Sequence, residues 1–335
     1  MKNIYSILSL LLGAMIALAS CNSEEIPGAL QPEEGDMPIE FSGINASVDT
    51  KTGADGVNGF RVWASRTNNN ASVYNIFATD GTEVTKTTSG NSVSWAYSPI
   101  RYWQPGTYNF YATSPTAIST TTPITGELSS TGLAIHFGEE VEGTYTGWDL
   151  SAIQTDFMFA KTQDVTGRFN GTNTPVSLAF DHMLSKISFS AKNTDADDDV
   201  SIIVTGIKIS GCHTKSLGAS FGQSISYQFP DQASGHHSIA VNQSSLNKDG
   251  YQNLGSSVLV FPQTCTNLVI ELTFIDVYSG ITTTGNTTSA SISIDWEPGK
   301  QYHYNINVSF EKISIGTITV KDWATGKQIG TTEDF

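Results

Sequence analysis

The chain has 335 residues and carries 32 acidic against 17 basic groups, a formal net charge of −15. That balance argues against nucleic acid or an anionic membrane surface as a partner. Only 15 % of residues are charged, while Gly, Ser, Thr and Asn abound; such a chain, with many aromatics, suits β-sheets whose solvent faces carry hydroxyls rather than charges.

The first twenty residues, MKNIYSILSLLLGAMIALAS, hold Lys2, an apolar run from 4 to 17 and then small residues. This is the three-part layout of a secretory signal, and the run falls short of the roughly 20 apolar residues a spanning helix needs. The next step, Leu-Ala-Ser-Cys at 18–21, resembles the lipobox of bacterial lipoproteins. That likeness implies that Cys21 becomes the first residue of the mature chain and carries a lipid anchor to the outer membrane. Asn22-Ser23-Glu24-Glu25 resembles the acidic export tag of Bacteroidetes lipoproteins, which implies display on the cell surface. Residues 21–38 mix Pro, Gly and acid with little apolar content and read as a flexible tether.

From residue 39 the pattern is one of short alternating runs with almost no helical period. In order they are IEFSGINASV (39–48), GFRVWAS (59–65), SVYNIFAT (72–79), SVSWAYS (92–98), TYNFYATS (107–114), GLAIHF (132–137) and DFMFAKT (156–162). Turn dipeptides punctuate them: Asp55-Gly56, Asp80-Gly81, Ser89-Gly90 and Pro105-Gly106. GWDLSAIQ (147–154) is the stretch suited to a helical turn or two. TGRFNGTNTP (166–175) has little to bury and is expected to separate two domains, 39–171 and 172–335. Strands resume with VSLAF (176–180), LSKISFSAK (184–192), VSIIVTGIKIS (200–210), SSVLVFP (256–262), NLVIELTFIDVY (267–278), SASISIDW (289–296), YHYNINVSF (302–310) and ISIGTITV (313–320). The pattern predicts an all-β chain of two antiparallel β-sandwiches in tandem.

Few residues suggest chemistry. With Cys21 assigned to lipid, Cys212 and Cys265 remain, each beside a strand-like run in a compartment that permits disulfides; a bridge and two buried free thiols both stay open. His182 follows Asp181 between two strands, but no H-E-x-x-H, C-x-x-C or nucleophile elbow occurs, so a structural histidine is expected. His236-His237 sits in a polar stretch without a third metal ligand nearby. The run DADDD (195–199) offers oxygens that could hold calcium, yet it lacks ligand periodicity and an internal glycine, and a solvated connection is expected. Glu297-Pro298-Gly299-Lys300 lacks the other glycine and the Ser/Thr of a phosphate loop and reads as a turn. Glu139, Glu140 and Glu142 have no second acid placed by any motif. No cofactor, metal or catalytic site is expected, and the chain reads as non-enzymatic.

Several segments together resemble the fimbrillin (Mfa-like) family of Bacteroidales. They are GFRVWAS after an early Thr-Lys-Thr, RYWQPGTYNFYATSP (101–115), TDFMFAKT, VSLAFDHMLSKISFSAKN (176–193) and WEPGKQYHYNINV (296–308). The resemblance implies a lipidated precursor with two transthyretin-like sandwiches, matured outside the cell and built with other fimbrillin subunits into an adhesive pilus or fimbria. It also implies that a protease removes the lipidated N-terminal strand. The cut is expected in DTKTGADGVN (49–58), after Lys51, its only basic residue, where the family more often offers arginine. Arg61 lies inside the next expected strand, where a protease would reach it poorly. Trp103, Tyr108, Phe110 and Tyr111 are expected to fill the first core. The competing reading is a surface glycan-binding lipoprotein, which would show a row of exposed Trp or Tyr where a pilin buries them.

The removed strand would need a replacement. Its apolar residues Ile39, Phe41, Ile44, Ala46 and Val48 fall at offsets zero, two, five, seven and nine, with Gly43 at the skip. Near the C-terminus Ile313, Ile315, Ile318 and Val320 fall at zero, two, five and seven, with Gly316 at the skip. Because a one-residue slip turns every strand side chain to the other face, segments sharing the same break fit the same groove. The expectation is that residues 313–320 of one subunit replace residues 39–48 of its neighbour; the alternative is that they are simply the last strand of their own domain.

Overall fold

The computed structural model describes residues 37–42, 57–89, 92–168, 174–222, 224–233 and 235–323. Among the described residues every regular element is a strand. The alternation in the sequence explains why. In Val200–Ser210 (VSIIVTGIKIS) buried and half-buried residues alternate until Thr205 and Gly206, where two half-buried residues follow one another. The register against Gln263–Tyr278 shifts at that point, between Val204 and Gly206. The skip in the sequence is a bulge in the sheet.

Two open sheets gather most of the first half. One runs Phe180–His182, Met158–Thr166, Thr107–Ser114, Gly59–Thr67, Thr82–Ser89 and Ser92–Ala96, with Val73–Asn75 also paired to Gly59–Thr67. The other runs Ile225–Gln228, Gly218–Phe221, Gly132–Phe137, Thr122–Ser129 and Ala117–Ser119. Gly81 closes a turn at φ 78° directly over Trp63; a Cβ there would lie 2.5 Å from the indole. The second half packs two further sheets. Ser185–Asn193 lies between Lys300–Val308 on one side and Gln252–Asn253 and Val258–Val260 on the other, and Ile313–Asp322 forms the outer edge. Facing it, His237–Ile239, Val200–Ser210, Gln263–Tyr278 and Ile281–Trp296 form the fourth sheet.

Several expectations change here. The pairing is mainly antiparallel, but Ser185–Asn193 runs parallel to Lys300–Val308 over eight residue pairs. Residues 147–154 form no helix: Trp148–Asp149 is a short strand paired with Lys215–Ser216, because its indole and Leu150 are drawn into the core. His237 is not in a polar loop but buried in a strand against Ile209. Strands 218–228 come from beyond the expected domain boundary, of which residues 169–173 lie outside the described residues, and yet they complete a first-half sheet. A third core joins Trp63, Phe137 and Trp148 to Leu184, Phe261 and Trp323, so residues from both halves share one apolar cluster. Trp103, Tyr108, Phe110 and Tyr111 are all buried.

Candidate functional site

Residues 37–42, which end in the two-residue strand Phe41–Ser42, run as an extended segment enclosed on both sides. On one side the Ile39 N–H donates to the Arg101 carbonyl (2.8 Å), the Trp103 N–H donates to the Met37 carbonyl (2.9 Å), and Pro38 bridges Tyr102 antiparallel. On the other side Phe41–Ser42 runs parallel to Val176–Ser177, and the Val176 N–H donates to the Glu40 carbonyl (2.7 Å). The Tyr97 hydroxyl adds a hydrogen bond to the Ile39 carbonyl (2.7 Å), and burial pushes that phenol up to about 12. At that value it stays a neutral donor across the physiological range.

The side chains alternate as a strand requires: Ile39 and Phe41 are 0 % and 5 % exposed, with Glu40 pointing out. Phe41 enters a box of four rings, with centroids 5.4 Å from Phe60, 5.8 Å from Tyr97 and 6.2 Å from both Phe77 and Phe110. Three of these contacts are edge-on, the arrangement that ring quadrupoles favour. Ile44, Ala46 and Val48 of the expected strand lie outside the described residues, as do Cys21 and Lys51. Arg61 is half-buried within Gly59–Thr67, its Nη1 donating to the Asp80 carbonyl at 3.2 Å.

The C-terminal strand contrasts with this. Ile313–Asp322 pairs antiparallel with Lys300–Val308 of the same chain and, among the described residues, has no strand paired on its outer side. Ile313 is buried, Ile315 and Ile318 are half-buried against the core, and Val320 is 51 % exposed. The register breaks between Tyr304 and Ile306, so that Gly316 and Thr317 together face Asn305. The skip in the alternation is again a bulge. Beyond the strand Trp323 is buried, with its N–H on the Gly299 carbonyl (2.7 Å) and its indole stacked on His182 at 3.8 Å and 2°. The Asp156 carboxylate approaches the same imidazole, Nδ1 to Oδ2 2.8 Å. Asp156 falls within the segment TDFMFAKT without being singled out by it, and Trp323 lies just outside the expected strand 313–320.

The other candidate residues form no common site. Cys212 and Cys265 are joined in a disulfide with Cα atoms 5.7 Å apart. Burial pushes the His237 imidazole down to about 4, with the Asp149 carboxylate opposing. The 195–199 connection is exposed from Ala196 to Asp199, as expected, and is also pinned: the Lys248 Nζ donates to the carbonyls of Asp195 (3.1 Å) and Asp197 (2.7 Å) and to Asp198 Oδ1 (2.9 Å). Asp195 in turn accepts the N–H groups of Phe310 and Asp197, which hold its carboxyl below the usual range. Of the six tryptophans, Trp95 is half-buried and the other five are buried, so none contributes to an exposed aromatic row.

A profile of the fimbrillin-like family matches residues 46–323 of the chain. Among solved structures, a fimbrial protein from Bacteroides vulgatus superposes with a TM-score of 0.53 at 18 % identity, over 79 % of this chain and 93 % of its own. A Bacteroides uniformis protein proposed to act in cell adhesion gives a TM-score of 0.50 at 15 % identity, over 88 % of this chain and 100 % of its own. At such identities the likeness is one of fold. No curated protein matches the chain.

Proposed function

Because the chain belongs to the fimbrillin-like family, we propose that it is a fimbrial subunit exported as a lipoprotein on Cys21, cut after Lys51, and assembled by strand exchange. In this reading the two halves, 39–171 and 172–335, are the two sandwiches of a fimbrial subunit, with strands 218–228 contributed across the division. Its partners are other fimbrillin subunits, its location the outer membrane and then the fimbria, and its service adhesion to a host or bacterial surface.

The enclosed segment at residues 37–42, with its strand Phe41–Ser42, is the observation that carries the reading. Cutting at Lys51 would detach it from the body, leaving unpaired backbone at 101–103 and 176–177 and two empty apolar pockets. Burying an Ile and a Phe contributes on the order of 3–6 kcal/mol together, so an open slot strongly favours a substitute strand. The C-terminal strand is the natural substitute. It occupies a half-exposed edge in its own chain, where Ile313 is its one fully buried residue, and would gain burial by moving into a neighbour's slot. Burial of the tryptophans favours this over the glycan-binding alternative.

The test is to isolate the surface fraction, run it unheated in SDS, and sequence the N-terminus. A resistant ladder whose subunits begin at Thr52 is expected. Subunits beginning at Cys21, or well past Arg61, would refute the cleavage, and monomers alone would refute the assembly.

A further inference from the structure

Phe310 lies in the connection between Lys300–Val308 and Ile313–Asp322 and is 53 % exposed. Among the described residues no other phenylalanine is exposed. Its N–H is tied to Asp195 Oδ2 at 3.0 Å, while its ring merely edges an open cleft of about 510 Å³ beside Tyr278. An exposed ring of this size contributes little to its own subunit and is available to another.

The sequence around it repeats the displaced strand. Ile39-Glu-Phe41-Ser-Gly-Ile44-Asn-Ala46 and Val308-Ser-Phe310-Glu-Lys-Ile313-Ser-Ile315 place apolar residues at the same offsets of zero, two, five and seven, each with phenylalanine second. The register that sets Ile313 in the place of Ile39 satisfies the same offsets, but it brings Ile315 into the box of four rings around Phe41. An isoleucine leaves part of a phenylalanine-shaped cavity empty and forfeits the edge-on ring contacts. Spacing alone cannot choose between the registers. The shape of the box can.

We propose that the segment filling the vacated slot is residues 308–315 of a second copy, with Phe310 seated in the ring box that Phe41 leaves. The inference rests on the strand-exchange reading and fixes its register. The shared offsets run in the same chain direction, so the incoming strand lies parallel to Val176–Ser177 and Glu311 takes the place of Ser42 opposite Ser177. Val308 is the terminal residue of its own strand, paired with Ile313 at the hairpin end. It is buried, pairs with Asn193 on its other side and accepts the Thr194 N–H at 2.7 Å. Its departure therefore breaks the end of that pairing, and the open backbone and apolar pockets of the slot offset the loss. The remainder of the donor leaves an edge with no outer strand among the described residues.

The test uses the full chain displayed on cells. The double variant Ser177→Cys, Glu311→Cys should give disulfide-linked oligomers that survive heating in SDS and collapse on reduction. Phe310→Ala should lower the polymer yield at least tenfold while the monomer melts as the parent does. Ile318→Ser, which in this register lies past the box, should polymerise within about twofold of the parent. If Phe310→Ala polymerises normally while Ile318→Ser does not, the register is wrong and strand exchange stands. If deleting residues 313–335 leaves polymerisation unchanged, strand exchange itself fails and the proposal fails with it.

Discussion

Replacing Phe41 by alanine in the uncut chain tests whether the N-terminal strand fills its slot in solution. The ring is 5 % exposed and meets four other rings. A buried Phe→Ala change costs about 3–5 kcal/mol, from lost transfer energy plus the cavity left behind. Phe60 and Phe110 sit on paired strands, Tyr97 is anchored through its hydroxyl and Phe77 is buried, so the cavity cannot readily collapse; a loss of about 4 kcal/mol is expected. At about 2–4 °C per kcal/mol for a unit of this size, the melting temperature falls by about 8–16 °C. Scanning calorimetry on the non-lipidated chain measures it, with Phe310→Ala, an exposed ring, as the control expected within about 2 °C. A shift below about 3 °C for Phe41→Ala would mean that the strand does not hold the slot, and the idea of a gap left by cleavage would lose its basis.

Removing the stacked indole by Trp323→Ala should speed amide exchange of Ile313–Asp322 at least tenfold, leaving Val200–Ser210 unchanged; equal rates would show that Trp323 does not retain the strand. The disulfide spans a sequence separation of 53, and loop-closure entropy for such a loop amounts to about 4 kcal/mol, so Cys212→Ser with Cys265→Ser should lower denaturant stability by that order. For His237 the folded value near 4 lies below the ordinary value of 6.5, so the unfolded chain takes up the proton first as pH falls. The stability due to the neutral imidazole is complete above about pH 6.5 and is lost progressively towards pH 4. His237→Gln should flatten the stability profile in that window, as followed by urea titration at a series of pH values. Lys248→Met should loosen the 195–199 connection, seen as faster amide exchange at Asp197 and Asp199.

Where one face is apolar and the other polar, strands could be read directly. Thr107–Ser114, Gly132–Phe137 and Val200–Ser210 coincide with the expected runs because apolar residues recur at every second position along them (108, 110 and 112; 133, 135 and 137; 200, 202 and 204). Thr82–Ser89 (TEVTKTTS) was hidden, since hydroxyls supply most of its residues and only Thr82 and Val84 are buried. The first half of Ile281–Trp296 escaped for the same reason: ITTTGNTT buries nothing, and its partner across the hairpin holds it in the sheet. Parallel pairing of Ser185–Asn193 with Lys300–Val308 left no local trace, because register between distant segments is set by the shared core rather than by either sequence. At the candidate site Ile39 and Phe41 were legible from alternation. The walls of their slot were not, since 101–103 and 176–177 become neighbours only after folding.

The apolar cluster shared by Trp63, Phe137, Trp148, Leu184, Phe261 and Trp323 has a mechanical meaning for a protein in a fibre. A tandem of two beads joined by one covalent crossing would transmit tension through that crossing and stretch there first. Here the strands at 218–228 and the common cluster link the halves side by side as well as end to end. Under the proposed assembly, a pull entering at the N-terminal slot would reach the C-terminal sheet through many contacts loaded in parallel. In the proposed fibre such a subunit would resist extension at its middle, and the weakest element under load would be the joint with the next subunit.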